Sequence, residues 1–121
     1  YCFAEKQGFS KFGSYTGNGS TDGSFIYTGF KPAWVMIKST SLTQGWGIWD
    51  NKRTPSNLSN KILVASSDTS ELTGFGIDIL SNGFKLRSTD ANSNQSGEIY
   101  IYMAFAQNPL VATNNVIALA R

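Results

Sequence analysis

The chain has 121 residues and a mass of 13.2 kDa, which is enough for one buried core and too little for two, so we expect a single domain. Only 15% of the residues are charged, and the ten lysines and arginines are scattered, which excludes the basic stripe that binds nucleic acid. The longest apolar run, residues 99–106, is far shorter than the roughly 20 residues that span a bilayer, so we expect no membrane insertion.

Short runs typical of β-strands recur between clusters of Gly, Asn, Ser, Asp and Pro, and no window keeps the apolar period of an amphipathic helix. This pattern predicts an all-β fold, namely a two-sheet antiparallel sandwich of the immunoglobulin-like or jelly-roll-like kind. The predicted strands span residues 1–5, 10–16, 24–28, 34–39, 45–50, 61–65, 76–80, 84–88, 98–106 and 116–120.

The first predicted strand is followed by no hairpin turn. Its sequence, YCFAE, resembles that of residues 102–107, YMAFAQ, since both begin with tyrosine and end with Phe-Ala followed by an acid or the corresponding amide. One interpretation is that it pairs with a later strand of its own domain. The other is that residues 1–7 form a strand donated to a neighbouring copy, while residues 8–121 form the domain. The donated interface would consist of Tyr1, Cys2, Phe3, Ala4 and Glu5.

Cys2 is the only cysteine, which excludes an internal disulfide, and we expect it to act as a small buried hydrophobe. Residues 16–23 are rich in the glycine and polar residues that form turns. They contain one carboxylate, that of Asp22, and their spacing does not fit a calcium loop, so no metal site is predicted.

Several aromatic residues either fill the core or form a surface on which sugars stack, and these are Tyr27, Phe30, Trp34, Trp46 and Trp49. In an extended strand Trp46 and Trp49 point to opposite sides, and we expect Trp49 to be the one at the surface. With Asn51, Lys52 and Arg53, which open the polar loop 51–60, Trp49 forms a candidate recognition surface. The polar loop 88–97 is a second candidate.

A hairpin is predicted where residues 76–80 lead through Ser-Asn-Gly into residues 84–88. Asn82 and Gly83 tolerate the positive φ that both central positions of a type I′ turn require. Phe84 and Leu86 then face the core, while the intervening lysine and arginine face water.

The predicted strand 98–106 is apolar on both faces, since Ile99, Ile101, Met103 and Phe105 alternate with tyrosines and alanines. A strand of this kind is typical of a central position that is covered on both sides.

Catalytic patterns are absent from the sequence. There is no histidine, which excludes Ser-His-Asp and Cys-His arrangements and histidine-based zinc sites. The eight acids are scattered and no glycine-rich phosphate loop precedes a helix, so we expect no cofactor and no enzymatic activity.

Four segments carry a resemblance to a known family: residues 11–20 (KFGSYTGNGS), 25–38 (FIYTGFKPAWVMIK), 80–87 (LSNGFKLR) and 101–109 (IYMAFAQNP). They resemble an uncharacterised β-sandwich domain that recurs in tail-fibre and other virion proteins of aquatic bacteriophages. The resemblance implies a structural or host-contact role and supplies no catalytic residues. In that family the segment YCFAE looks like the closing strand of a preceding unit, and a chain that opens on it favours a self-assembling, pilus-like filament protomer.

Together these features predict a structural protomer of an extracellular or virion filament, whose partners are copies of itself joined by strand donation. The uncharged polar composition, rich in Ser, Thr, Asn and Gly, is common in such extracellular and virion β proteins. The alternative is a glycan- or receptor-binding module of a phage tail fibre or an adhesin, with a cell-surface glycan as its partner.

Overall fold

The computed structural model describes residues 2–108, which form eight β-strands and no helix. No helix long and apolar enough to cross a membrane is found among these residues. The strands are β1 (Ser10–Thr16), β2 (Phe25–Tyr27), β3 (Pro32–Ser39), β4 (Gly47–Asp50), β5 (Ser59–Val64), β6 (Leu72–Leu80), β7 (Gly83–Leu86) and β8 (Ile99–Ala106).

The strands form one sheet in the order β1-β8-β3-β4-β5-β6-β7-β2, and every neighbouring pair is antiparallel. The sheet curls into a nearly closed barrel whose edge strands are β1 and β2. The all-β antiparallel fold predicted from the sequence is therefore confirmed. Its assignment to a two-sheet sandwich stays a prediction, since the strands are joined in one continuous sheet.

Eight of the ten predicted strands are present, with bounds that differ by a few residues. The predicted strand 1–5 is wrong for residues 2–5, which form no strand. The carbonyl of Lys6 instead accepts hydrogen bonds from the amides of Phe9 and Ser10, so the chain turns back at once and leaves the segment no neighbouring ladder. The predicted strand 116–120 lies outside the described residues.

The core fills the interior of the barrel and is built from the inward-facing positions of seven strands, β2 to β8. Its largest side chains are Trp49, Tyr100 and Phe84, all fully buried. Side chains from opposite halves of the barrel meet there: the centroids of the Phe84 and Tyr102 rings lie 5.5 Å apart, with the rings edge to face. Alternation along each strand therefore sends one set of residues inward and leaves the other set outside.

The hairpin between β6 and β7 is present, and Phe84 and Leu86 are fully buried as predicted. The turn itself is shifted by one residue, because Leu80 pairs with Gly83 and the turn consists of Ser81 and Asn82. A side chain at Gly83 would collide with the carbonyl of Ile26 in the adjacent β2. Gly83 is thus needed for the close approach of β2 and not for the turn.

One end of the barrel is closed by two polar loops, residues 17–24 and 87–98, that hold each other around the fully buried Asn94. The Asn94 amide nitrogen donates to the carbonyls of Ser20 and Ser88 at 2.8 and 2.9 Å, and its Oδ1 accepts from the amide of Asn18 at 3.0 Å. Much of loop 88–97, expected to be a recognition surface, is therefore structural, because Ser93 is also buried.

We expect Asn94→Asp to destabilise the domain by about 3 kcal/mol or more at neutral pH, because a carboxylate cannot donate to the two carbonyls and would be buried as a charge. The exposed Gln95 provides the matched control, and Gln95→Glu should change the free energy of unfolding by less than about 0.5 kcal/mol. Urea denaturation of both variants checks this expectation. Equal stability of the two variants would contradict the structural role of Asn94.

Candidate functional site

The outward face of β8 is apolar and accessible. Tyr100, Tyr102 and Ala104 point into the core, while Ile99 and Ile101 are 52% and 42% exposed on the other side. The prediction that this strand is covered on both faces is therefore wrong within residues 2–108. β8 is central, since it pairs with both β1 and β3, but only its inner face is buried by the barrel.

A row of apolar side chains crosses five adjacent strands on this outer side. Strand pairing places Phe12 beside Met103, Met103 beside Met36, Met36 beside Ile48, and Ile48 beside Leu63. We call this row, together with Ile99 and Ile101, the outer apolar face. Contiguous apolar surface of this kind is uncommon on monomeric soluble proteins and marks interaction sites.

An aromatic cluster extends the outer apolar face at the end of β8. Phe105 lies at its centre, and its ring centroid is 5.6–6.2 Å from those of the surrounding rings, which belong to Phe3, Phe9, Phe12 and Trp34. Phe3 remains 62% exposed and Phe9 39% exposed, so the cluster is only partly covered by its own members.

The predicted strand-donation residues are attached to their own domain as far as the structure describes them. Phe3 packs on Phe12 and Phe105, the Ala4 carbonyl accepts from the Ser10 hydroxyl at 2.8 Å, and Glu5 pairs with Lys11 at 2.6 Å. Cys2 is exposed, so its expected role as a buried hydrophobe is wrong: the segment runs over the surface and not into the core. Tyr1 lies outside the described residues, and donation of the segment to another copy stays a prediction.

Trp49 was expected at the surface, and this is wrong. Trp49 is fully buried in the core, where its indole nitrogen donates to the carbonyl of Phe75 at 2.7 Å, and Trp46 is 40% exposed. The two side chains do point to opposite sides, as predicted. The sequence could not tell which side is inward, because that depends on the pairing of β4 between β3 and β5.

The remaining predicted recognition residues form a short turn after β4. Asp50 Oδ1 accepts from the amides of Lys52 and Arg53, both at 2.9 Å, and the Arg53 guanidinium pairs with Asp50 Oδ2 at 2.6 Å. The backbone N–H of Asn51 donates to the backbone carbonyl of Ala33. Arg53 and Asn51 are therefore partly engaged in holding the turn, whereas the side chain of Lys52 is exposed.

A shallow cavity of about 90 Å³ lies beside this turn and is lined by polar residues that include Lys31, Asn51, Thr54 and Ser59. The hydroxyls of Thr54 and Ser59 are buried and have no hydrogen-bond partner among the described residues. The cavity has room for little more than water molecules, which suit unpaired hydroxyls of this kind.

Carboxylates on the described surface are mostly engaged in ion pairs, such as Glu71 with Lys61 and Asp78 with Arg87. Between residues 2 and 108, no three His, Cys, Asp or Glu residues lie close enough together to hold a metal ion.

The turn after β4 should make stability depend on pH through Asp50. Burial alone would raise the pKa of Asp50, but hydrogen bonds from the Arg53 amide and guanidinium and from the Lys52 amide outweigh it and hold the pKa below its ordinary value. Because the folded-state pKa is lowered, the stabilisation is complete above about pH 4, the pKa of an unfolded aspartate, and is lost as the pH falls through the folded-state value.

We therefore expect Asp50→Asn to cost about 1 kcal/mol at pH 7, with the difference from the parent protein shrinking below about pH 4. The control is Asp68→Asn, since Asp68 is exposed and takes part in no ion pair in the described part of the chain. Urea denaturation at several pH values measures both. A loss for Asp50→Asn that stays constant down to pH 2 would rule out this role.

The two tryptophans should respond differently to the same substitution. Trp49→Phe removes the hydrogen bond to Phe75 and leaves a space in the core, so we expect a loss of about 2 kcal/mol in the free energy of unfolding. Trp46→Phe should cost less than about 0.5 kcal/mol, but should remove the tryptophan emission most readily quenched by iodide. Comparable losses for the two variants would show that Trp49 is not a core residue.

The comparisons with known proteins concern the domain as a whole. No curated protein and no solved structure matches the chain. Residues 1–109 match a domain of unknown function, DUF7483, so the match includes all eight strands and the outer apolar face. The chain therefore belongs to the DUF7483 family.

Proposed function

We propose that this domain is a non-catalytic structural module that associates with copies of itself, through the outer apolar face, in an extracellular or virion filament. The observation that carries the proposal is the unbroken apolar row from Phe12 across β8, β3 and β4 to Leu63. A monomer gains nothing from exposing such a row, whereas covering it removes apolar surface from water at about 25 cal/mol per Å².

A second copy is a suitable occupant because the outer apolar face has little charge to be desolvated. The ammonium group of Lys38, which borders Ile101, donates to the carbonyls of Ser39 and Leu42 at 2.7 and 2.9 Å. The carboxylate of Asp50, beside Trp34 in the sheet, is paired with Arg53. Two such faces can stack about 10 Å apart, as sheets do within sandwich domains.

Packing through this face is favoured over donation of residues 1–5. The described part of that segment already packs on its own domain through Phe3 and Glu5, and these contacts would have to break before it could enter another copy. Displacing Phe3 would also expose more of Phe12 and Phe105.

A face that packs on an identical face forms a closed dimer, so a filament needs a second contact. Strands β1 and β2 supply candidates for it, since each pairs with only one neighbour in the sheet of residues 2–108. Open strand edges carry backbone groups that can pair with another chain. Filament growth would then alternate contacts between faces with contacts between edges.

The predicted sandwich is part of the same proposal. β7 and β8 face each other through Phe84 and Tyr102, and β4 and β6 are joined by the hydrogen bond from Trp49 to Phe75. These contacts support a barrel flattened into two layers, one of which carries the outer apolar face.

The test is the effect of one charge on self-association. Ile101→Lys places an ammonium group in the outer apolar face, whereas Ser81→Lys places the same group in the exposed β6–β7 turn. We expect the parent protein and Ser81→Lys to associate as concentration rises, and Ile101→Lys to require at least 10-fold higher concentration. Sedimentation velocity measures this, and electron microscopy shows whether filaments form.

Because the side chain of Ile101 is 42% exposed, the variant should fold, and circular dichroism verifies this. A parent protein that stays monomeric at millimolar concentration, or an Ile101→Lys variant that associates as well as the parent, would refute the proposal.

A further inference from the structure

A second surface, on the edge strand β2, exposes a pair of aromatic rings. Phe25 is 46% exposed and Tyr27 is 64% exposed, while Ile26 between them is buried in the core. Since side chains alternate along a strand, both rings stand on the same outer face, about 7 Å apart along the strand. We call Phe25 and Tyr27 the aromatic pair.

Two glycines let these rings lie close to the backbone. The Phe25 ring lies 3.1 Å from the position that a Cβ atom on Gly83 would occupy. The Tyr27 ring and hydroxyl lie 3.6–3.8 Å from the corresponding Cβ position on Gly29. Gly83 is also the partner of Tyr27 across the β2–β7 ladder. Each ring therefore packs against a glycine, which has no side chain, on one side and remains accessible to solvent on the other.

Charged side chains of both signs border the aromatic pair. Lys85 is the strand partner of Phe25, and its ammonium group contacts the carboxylate of Asp22 at 2.6 Å. Arg87 lies 3.7 Å from the same carboxylate and 3.2 Å from that of Asp78. The group contains two acids and two bases, so it offers donors and acceptors without a net charge.

The hydrogen bond and charge of Lys85 lower the pKa of Asp22, and the carboxylate is an acceptor at neutral pH. With Arg87 and Lys85 as donors, the border of the aromatic pair can satisfy a ligand that carries several hydroxyl groups.

We propose that the aromatic pair binds a neutral saccharide. The C–H groups on one face of a sugar ring carry partial positive charge and pack on the negative face of an aromatic ring, while the hydroxyl groups at its rim bond to charged side chains. The geometry matches this chemistry, because the exposed rings of β2 lie beside Lys85 of β7, and ion pairs connect Lys85 through Asp22 and Arg87 to Asp78.

Other occupants fit this surface less well. Nucleic acid would also stack on aromatic rings, but its phosphates require a net positive surface, and here two carboxylates cancel the two cations. A protein partner needs a larger apolar contact than two rings within a group of charges provides. The outer apolar face lies on β1, β8, β3, β4 and β5, so saccharide binding at β2 does not involve that face.

The experiment begins with the parent protein on an array of neutral hexose oligosaccharides and uronic-acid oligosaccharides. We expect binding to neutral glycans, and isothermal titration with the strongest binder should show at least a 10-fold loss of affinity for Tyr27→Ala and for Phe25→Ala. The matched control is Trp46→Ala, which removes an exposed aromatic ring outside the aromatic pair and should keep the parent affinity. The Ile101→Lys variant should also bind normally.

Amide chemical shifts of the parent protein provide a measurement that does not depend on a variant's folding. Titration with the same oligosaccharide should shift the amides of β2 and β7 more than those of β8 and β3. Binding of acidic glycans alone, no binding of any neutral glycan at millimolar concentration, full affinity in Tyr27→Ala, or shifts centred on β8 would each overturn the proposal.

Discussion

The two ladders of β8 hold most of the fold in place. β8 pairs with β1 from Ser10 to Thr16 and with β3 from Pro32 to Ser39, so long stretches of chain on both sides of it are fixed in register. The burial of Tyr100, Tyr102 and Ala104 determines which face of β8 points into the core. A slip of one residue would bury Ile101 and Met103 and expose two tyrosines, at a large cost in core packing.

The outer apolar face follows from the same constraint. Once the tyrosines are inside, Ile99, Ile101 and Met103 have to lie outside, and strand pairing aligns Met103 with Phe12 and Met36 on the neighbouring strands. The core and the loops around Asn94 hold the nearly closed barrel together without contacts to this face. These apolar side chains remain accessible for contact with another molecule, which is the basis of the proposed self-association.

The two proposed surfaces lie on different parts of the sheet and differ in chemistry. The outer apolar face spans five strands and its bordering charges are already paired or bonded to carbonyls, which suits a large partner of the same kind. The aromatic pair occupies one edge strand and is bordered by Asp22, Lys85, Arg87 and Asp78, which suits a small polar ligand. A domain with both surfaces could assemble through one and contact a glycan-bearing surface through the other.

The sequence by itself determined where the strands between residues 10 and 106 lie, to within a few residues. Alternation of apolar and polar residues predicts eight strands that the structure contains, and it places Phe84 and Leu86 in the core, because local periodicity is a property of each segment alone. The apolar character of both faces of β8 is also evident from the sequence, but it predicts burial on both sides, whereas Ile99 and Ile101 are exposed.

Only the tertiary structure decided which face of each strand is inward and which residues meet across strands. Trp49 and Trp46 exchanged the expected roles, and Cys2 lies at the surface, because burial depends on the neighbours that pairing brings. The sequence does not indicate that Phe25 and Tyr27 form an exposed pair, for the same reason: nothing in the local sequence shows that Lys85 and Gly83 lie beside them. Pairing between strands distant in sequence is set by how all of them close around one core, and no single segment carries that information.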